Sequence, residues 1–176
     1  KPAGIAAIDG AHRYCWSEVV SRVARAAGVL RNAGLSQGGR VAILALNSHR
    51  YFEIYYAIPW AGGTIVPLNT RLALPEMQYI LEDSGAEILI VDENFVDAAR
   101  AIRERVPALR MLLHIADSPA PDGFADYEAL IAKTEPAEDA ERHGSDLAGI
   151  FYTGGSTGKA KGVMLSHDNL VTNAVN

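Results

Sequence analysis

The sequence predicts an α/β fold, a mainly parallel sheet with helices on both faces, and two observations carry that prediction. Short apolar runs alternate along the chain with longer stretches of helical periodicity, the pattern of strands joined by crossover helices. One run, 40–46 (RVAILAL), is apolar almost without a break, as a strand buried on both faces must be. With 176 residues, 49% hydrophobic and 21% charged, the chain has the composition of a globular protein and the length of one ordinary domain.

The first elements are two short strands, 5–8 and 12–16, around an Asp9-Gly10 turn, a favoured hairpin pair. A helix follows, because Val19, Val23, Ala26 and Leu30 recur at steps of four, three and four and make one apolar stripe. Ser17 is its expected N-cap and Gly34 its expected C′ residue. After the 40–46 strand, residues 50–61 are helical in length and apolar nearly all round, so this helix is expected to lie between layers. Gly62-Gly63 ends it and 64–67 is a brief strand. A second amphipathic helix spans 74–83 and is closed by Gly85. A strand at 87–91 (EILIV), a helix at 94–105 and a strand at 111–115 complete the alternation over 1–116.

Residues 117–146 break the pattern. The Asp, Ser, Pro and Gly of 117–123 read as a loop and 127–132 as a short helix. Segment 134–146 holds five acidic residues (Glu135, Glu138, Asp139, Glu141, Asp146) and no aliphatic side chain larger than Ala. It is expected to be a solvated connector over the surface. The last part, 147–176, returns to strand at 147–152 and 163–165 around a Gly-rich loop. Ser166 or Asp168 is placed to cap a final helix.

Charge and composition exclude several classes. A net charge of −5 and a pI near 5.5 argue against a nucleic-acid binder, which usually carries a basic surface. No apolar run approaches the ~18 residues of a membrane-spanning helix. The lone Cys15 has no disulfide partner and, between Tyr14 and Trp16, reads as a small buried hydrophobe. His12, His49, His114 and His143 are scattered and propose no metal site; His167 reads as a satisfied capping residue.

The chemistry concentrates in 152–163, YTGGSTGKAKGV. Four glycines (Gly154, Gly155, Gly158, Gly162), three hydroxyls (Thr153, Ser156, Thr157) and two lysines (Lys159, Lys161) follow directly on a strand. Glycines bring backbone N–H groups close to a ligand, and successive N–H groups form an anion-binding concavity. Hydroxyls add donors, and a lysine adds a point charge suited to polyphosphate. It is not a Walker A loop, which would need Gly at 153 and Ser or Thr at 160, where this chain has Thr153 and Ala160.

This loop resembles the signature of the adenylate-forming (AMP-binding) superfamily, which includes acyl-CoA synthetases, fatty-acid–CoA ligases and non-ribosomal adenylation domains. The match holds at Tyr152, Thr153, Gly155, Ser156, Thr157, Gly158, Lys161, Gly162 and Val163. Gly154 stands where the family has Ser and Ala160 where it has Pro. Further segments resemble acyl-CoA synthetases in the expected order: 40–47 (RVAILALN), 60–71 (WAGGTIVPLNTR), 79–91 (YILEDSGAEILIV) and 165–170 (LSHDNL).

The resemblance implies an incomplete N-terminal AMP-binding domain over 1–176, part of the large N-terminal domain of such an enzyme. It implies a cytoplasmic acid–thiol ligase whose partners are a small-molecule carboxylic acid, ATP and coenzyme A, with Mg2+ expected beside the ATP. Thr153, Gly154, Gly155, Ser156, Thr157, Gly158 and Lys161 are the implied nucleotide-binding residues. Lys161 is also the implied catalytic residue, stabilising the departing charge or else anchoring the loop on a neighbouring carboxylate. The family's adenine and ribose motifs, acyl pocket and C-terminal domain have no counterpart in the sequence. This piece is therefore expected to be inactive alone and to self-associate through surface the whole domain would cover. A non-catalytic ATP- or phosphate-binding regulatory module is the alternative.

Overall fold

A computed structural model describes residues 2–154 and 158–175. Its centre is a seven-stranded sheet in the order β7-β6-β5-β3-β4-β8-β9, where β3 is Arg40–Leu44, β4 Thr64–Pro67, β5 Ala86–Val91, β6 Met111–His114, β7 Ala125–Asp126, β8 Leu147–Thr153 and β9 Lys161–Ser166. Every pairing is parallel except β8 with β9. The mainly parallel α/β architecture expected from the alternation is the one observed. β7, whose two residues carry no strand pattern, was not foreseen; it continues the sheet beyond β6.

The RVAILAL run is buried on both faces because alternate residues serve different layers. Val41 and Ile43 join one core with α1 (Trp16–Asn32), α2 (His49–Trp60) and α5 (Tyr127–Lys133). Ala42 and Leu44 join the other with α3 (Leu74–Ser84) and α4 (Val96–Arg103). Ile88 and Ile90 against Leu89 and Val91 repeat the division on β5. Helices thus cover both faces of the sheet.

A separate antiparallel hairpin, β1 (Ile5–Asp9) with β2 (His12–Cys15), turns through Gly10 at φ +57°. Cys15, not Ser17, is the N-cap of α1: its backbone N–H donates to Glu18 Oε2 at 2.8 Å, three residues on. The helix begins one turn-position earlier than its apolar stripe, so Ser17 is already inside it. Cys15 is accordingly half-buried at a helix end and not a core residue. Gly34 and Gly85 do adopt the left-handed backbone, at φ +81° and +67°, that ends α1 and α3.

Helix α2 departs from the expectation of burial all round. Ser48 caps it by accepting the Tyr51 N–H at 3.1 Å, Tyr56 is exposed, and its inner face carries the charged Glu53, 1% exposed. Glu53 takes a bidentate pair from Arg22 of α1, with Nε at 2.6 Å and Nη2 at 3.0 Å, and a hydrogen bond from the Tyr127 hydroxyl at 2.8 Å. Arg22 and Arg50 both reach Glu128 of α5. Burial alone would raise the Glu128 carboxyl, but the Arg22 and Arg50 hydrogen bonds outweigh it and hold the carboxyl below its ordinary range. A buried carboxylate requires such partners.

The acidic connector lies over the surface as expected, but its backbone is pinned there. Ala137 N–H donates to Ala24 O at 2.9 Å, Ala140 N–H to Trp60 O at 3.0 Å, and Trp60 Nε1 to Ala137 O at 2.9 Å. Gly28 makes the approach possible, since a Cβ there would lie 2.6 Å from Glu135 O.

Candidate functional site

β8 starts in the core and climbs out of it. Ala148, Gly149 and Ile150 are buried, Phe151 and Tyr152 half-buried, and Thr153 and Gly154 exposed. It runs parallel to β4, so its carboxyl end lies at the edge of the sheet where ligands of open α/β folds bind. β9 returns beside it, with Thr153 opposite Lys161 and Tyr152 opposite Gly162. The antiparallel register therefore brings Thr153 and Lys161 together at the mouth of a hairpin, with Gly154 and Gly158 on the connecting loop. Gly155, Ser156 and Thr157 lie outside the described residues.

Two glycines of this hairpin answer to different constraints. Gly158 has φ +128°, a backbone that side chains rarely adopt. Gly162 has no room: a Cβ there would sit 2.7 Å from Ile150 Cγ2 and 3.1 Å from Tyr152 Cζ. Gly154 has no described residue within 4 Å of an added Cβ. Lys161 is exposed and makes no ion pair among the described residues, so the alternative of a carboxylate anchor finds no partner there.

The other lysine is placed differently. Lys159 Nζ stands 4.9 Å from the ring centroid of Tyr79 on α3, within the range of a cation–π contact. Together Gly158, Lys159 and Ala160 close one side of an open groove of about 630 Å³ whose other wall is α3, with Pro75, Gln78 and Tyr79. Tyr152 donates its hydroxyl to Asp83 Oδ2 at 2.6 Å. Burial first, and then the Asp83 hydrogen bond and charge, push the Tyr152 phenol well above its ordinary value. The sequence offered a sign of these α3 residues only in helical spacing, which puts Tyr79 and Asp83 on one face.

Other residues singled out from sequence are placed elsewhere. Among the described residues no three His, Cys, Asp or Glu side chains cluster to hold a metal ion. His49 pairs with Asp9 at 2.8 Å and stacks on Tyr14, with ring centroids 4.7 Å apart. His167 opens α6 (His167–Val175), but Ser166 caps that helix by accepting the Asn169 N–H at 3.2 Å while Asn169 Oδ1 accepts the Ser166 N–H at 2.9 Å. The His167 side chain is not the satisfied cap expected of it: its buried Nε2 has no partner among the described residues. It borders a mainly apolar cavity of about 350 Å³ with Trp16, Val20, Tyr56 and Trp60. No helix is long and apolar enough to cross a membrane among the described residues.

A Gly-rich strand–loop–strand stands at the carboxyl edge of a parallel sheet, with Lys161 exposed on it. The AMP-binding enzyme family profile matches residues 1–176. The chain belongs to the AMP-binding enzyme family. It is 36% identical over 165 residues to a long-chain-fatty-acid–CoA ligase of Thermus thermophilus, covering 93% of this chain and 30% of that protein. The anthranilate CoA ligase AuaEII, solved with anthranoyl-AMP, superposes with a TM-score of 0.93 at 26% identity over 99% of this chain and 34% of its own. ATP-bound MatB from Rhodopseudomonas palustris superposes with a TM-score of 0.85 at 34% identity, again over 99% and 34%. The chain thus spans about a third of the length of these AMP-binding enzymes, and it corresponds to their N-terminal part.

Proposed function

We propose that the complete protein is an ATP-dependent acid–thiol ligase of the acyl-CoA synthetase type. It joins a carboxylic acid to AMP with release of pyrophosphate, and a thiol, coenzyme A, then displaces AMP. The observation that carries this reading is the hairpin mouth: Lys161 exposed, free of ion pairs among the described residues, and directly opposite Thr153. Attack of a carboxylate on a polyphosphate sets one anion against another. It is favoured when fixed positive charge and N–H donors hold the phosphates in line. Lys161, the Thr153 hydroxyl and the backbone of Gly154 and Gly158 fit that task, since no described residue lies within 4 Å of an added Cβ at Gly154 and Gly158 has φ +128°. Gly155, Ser156 and Thr157 are proposed as further phosphate contacts on the resemblance alone.

Magnesium is proposed to arrive with the ATP. The described residues offer no cluster to hold it, so no step is assigned to it. Phosphate contacts by themselves compete with water and screening salt, so these 176 residues alone are proposed to be inactive. Trp16, Val20, Tyr56, Val171 and Val175 are large exposed apolar residues, and such surface promotes association. The isolated chain is therefore expected to sediment as dimers or larger species; a strict monomer at high concentration would contradict this. A cytoplasmic location, where ATP and coenzyme A are available, belongs to the same proposal. The deciding experiment is pyrophosphate exchange by the full-length enzyme with a panel of carboxylic acids. Exchange that needs an acid and fails in Lys161→Ala supports the ligase, and ATP binding without exchange for any acid rejects it.

A further inference from the structure

We propose that Asp83 and Tyr79 of α3 are positioning residues for the phosphate loop, holding its two ends in the geometry that receives ATP. Three observations converge on this. The Tyr152 hydroxyl, one residue before Thr153, is tied to Asp83 Oδ2 at 2.6 Å. Its ring lies across the hairpin over Gly162, whose absent Cβ would sit 3.1 Å from Cζ and 3.3 Å from Oη. Gly162 follows Lys161 directly, so a single aromatic side chain fixes the backbone beside both candidate contacts. On the far side of the loop, Lys159 Nζ rests on the Tyr79 ring. Tyr79 and Asp83 are four residues apart on one helix face, and the Tyr79 hydroxyl reaches Asp83 Oδ1 at 3.5 Å. Helix α3 therefore grips the loop at its entry and near its exit, while α3 itself is locked into the core by Met77, Ile80 and Leu81.

The tether is polar and at the surface: Asp83 is exposed and Tyr152 half-buried. Breaking it leaves no buried orphan group, so its removal has little reason to unfold the protein. Its effect falls instead on how well the loop is held before nucleotide arrives, which is a matter of affinity. The inference rests on the reading of this hairpin as the ATP phosphate site.

The test uses the full-length enzyme with Tyr152→Phe, Asp83→Asn and the double variant, measured by calorimetric ATP binding and by pyrophosphate exchange. Tyr152→Phe keeps the ring over Gly162 and removes only the hydroxyl. The expected result is a Kd and KM for ATP raised about fivefold, the double variant no worse than either single one. The KM for the acid and the melting temperature should stay at their wild-type values. Unchanged ATP affinity in Tyr152→Phe overturns the proposal, as does a loss shared equally by ATP and acid. Wild-type protein that binds ATP with a Tyr152-dependent affinity but exchanges no pyrophosphate would uphold the tether and reject the ligase reading. Protein that binds no ATP rejects both.

Discussion

The centre of the sheet and the β8–β9 hairpin belong to one sheet, yet the first is parallel and sealed and the second antiparallel and open. In β3 and β5 the side chains on both faces are sealed by helices, and the buried carboxylate Glu53 beneath them is fully partnered. In the hairpin, Thr153, Lys161, Gly162 and Val163 are exposed, and glycines stand where the core would have aliphatics. A change in the first region should be read out as folding free energy. A change at the mouth of the second should be read out as ligand affinity or rate. The two kinds of site are separable by experiment.

The largest effect is expected in the core. Glu53→Ala leaves the buried Tyr127 hydroxyl without its acceptor and takes from the Arg22 guanidinium one of its two carboxylate partners, Glu128 remaining, a loss of about 4 kcal/mol in stability, measured by urea denaturation. A loss below about 1 kcal/mol would mean that this network is no more than a surface pair. Next comes the hairpin mouth. In the full-length enzyme, Lys161→Ala should cost about 3 kcal/mol in the transition state of adenylation with stability unchanged. Lys159→Ala should cost far less, because its ammonium is on Tyr79. Equal effects of the two on pyrophosphate exchange would remove Lys161 from its assigned role.

A smaller effect sharpens the contrast within the hairpin itself. Gly162→Ala drives a methyl against Ile150 and Tyr152 and should destabilise by about 1–2 kcal/mol in thermal melts. Gly154→Ser meets no described residue within 4 Å and should change stability by less than about 0.5 kcal/mol. If both are neutral, β9 is more loosely held than its register implies. The smallest is a pH effect. The Glu128 carboxyl titrates below its ordinary value, so its contribution to stability is present above the unfolded value of 4.5 and is lost as pH falls below it. Glu128→Gln should flatten the acid side of the stability profile and leave the neutral side parallel to wild type. A profile that keeps its acid slope would place that loss on other carboxylates.

What the sequence disclosed follows the range of the forces involved. The strand of 40–44 and the turns at Gly34 and Gly85 were legible because burial on two faces and left-handed backbone are written in adjacent residues. The N-cap was misplaced by two residues because Cys15 is not a usual cap; its signal was Glu18, three positions later. Glu53 was hidden inside an apolar helix because its partners lie 31 and 74 residues away, and no local pattern reports a distant ion pair. The same holds for the site. The glycines and lysines of 152–163 were legible as a motif, whereas the support from Tyr79 and Asp83 of α3, 69 residues before Tyr152 in the case of Asp83, appears only in three dimensions.

The strand order has a kinetic meaning. Within β3 to β7 each strand pairs with the next in sequence or, for β3 with β5, skips a single strand, but β4 must wait for β8, whose link through Thr64 Oγ1 and Leu147 O spans 83 residues. Loop closure over that distance comes late, since its entropy must be overcome before the contact contributes. During synthesis the five-stranded body can therefore form while the hairpin is still emerging. The hairpin proposed to meet ATP is thus added after the five strands it leans on, to a platform already built.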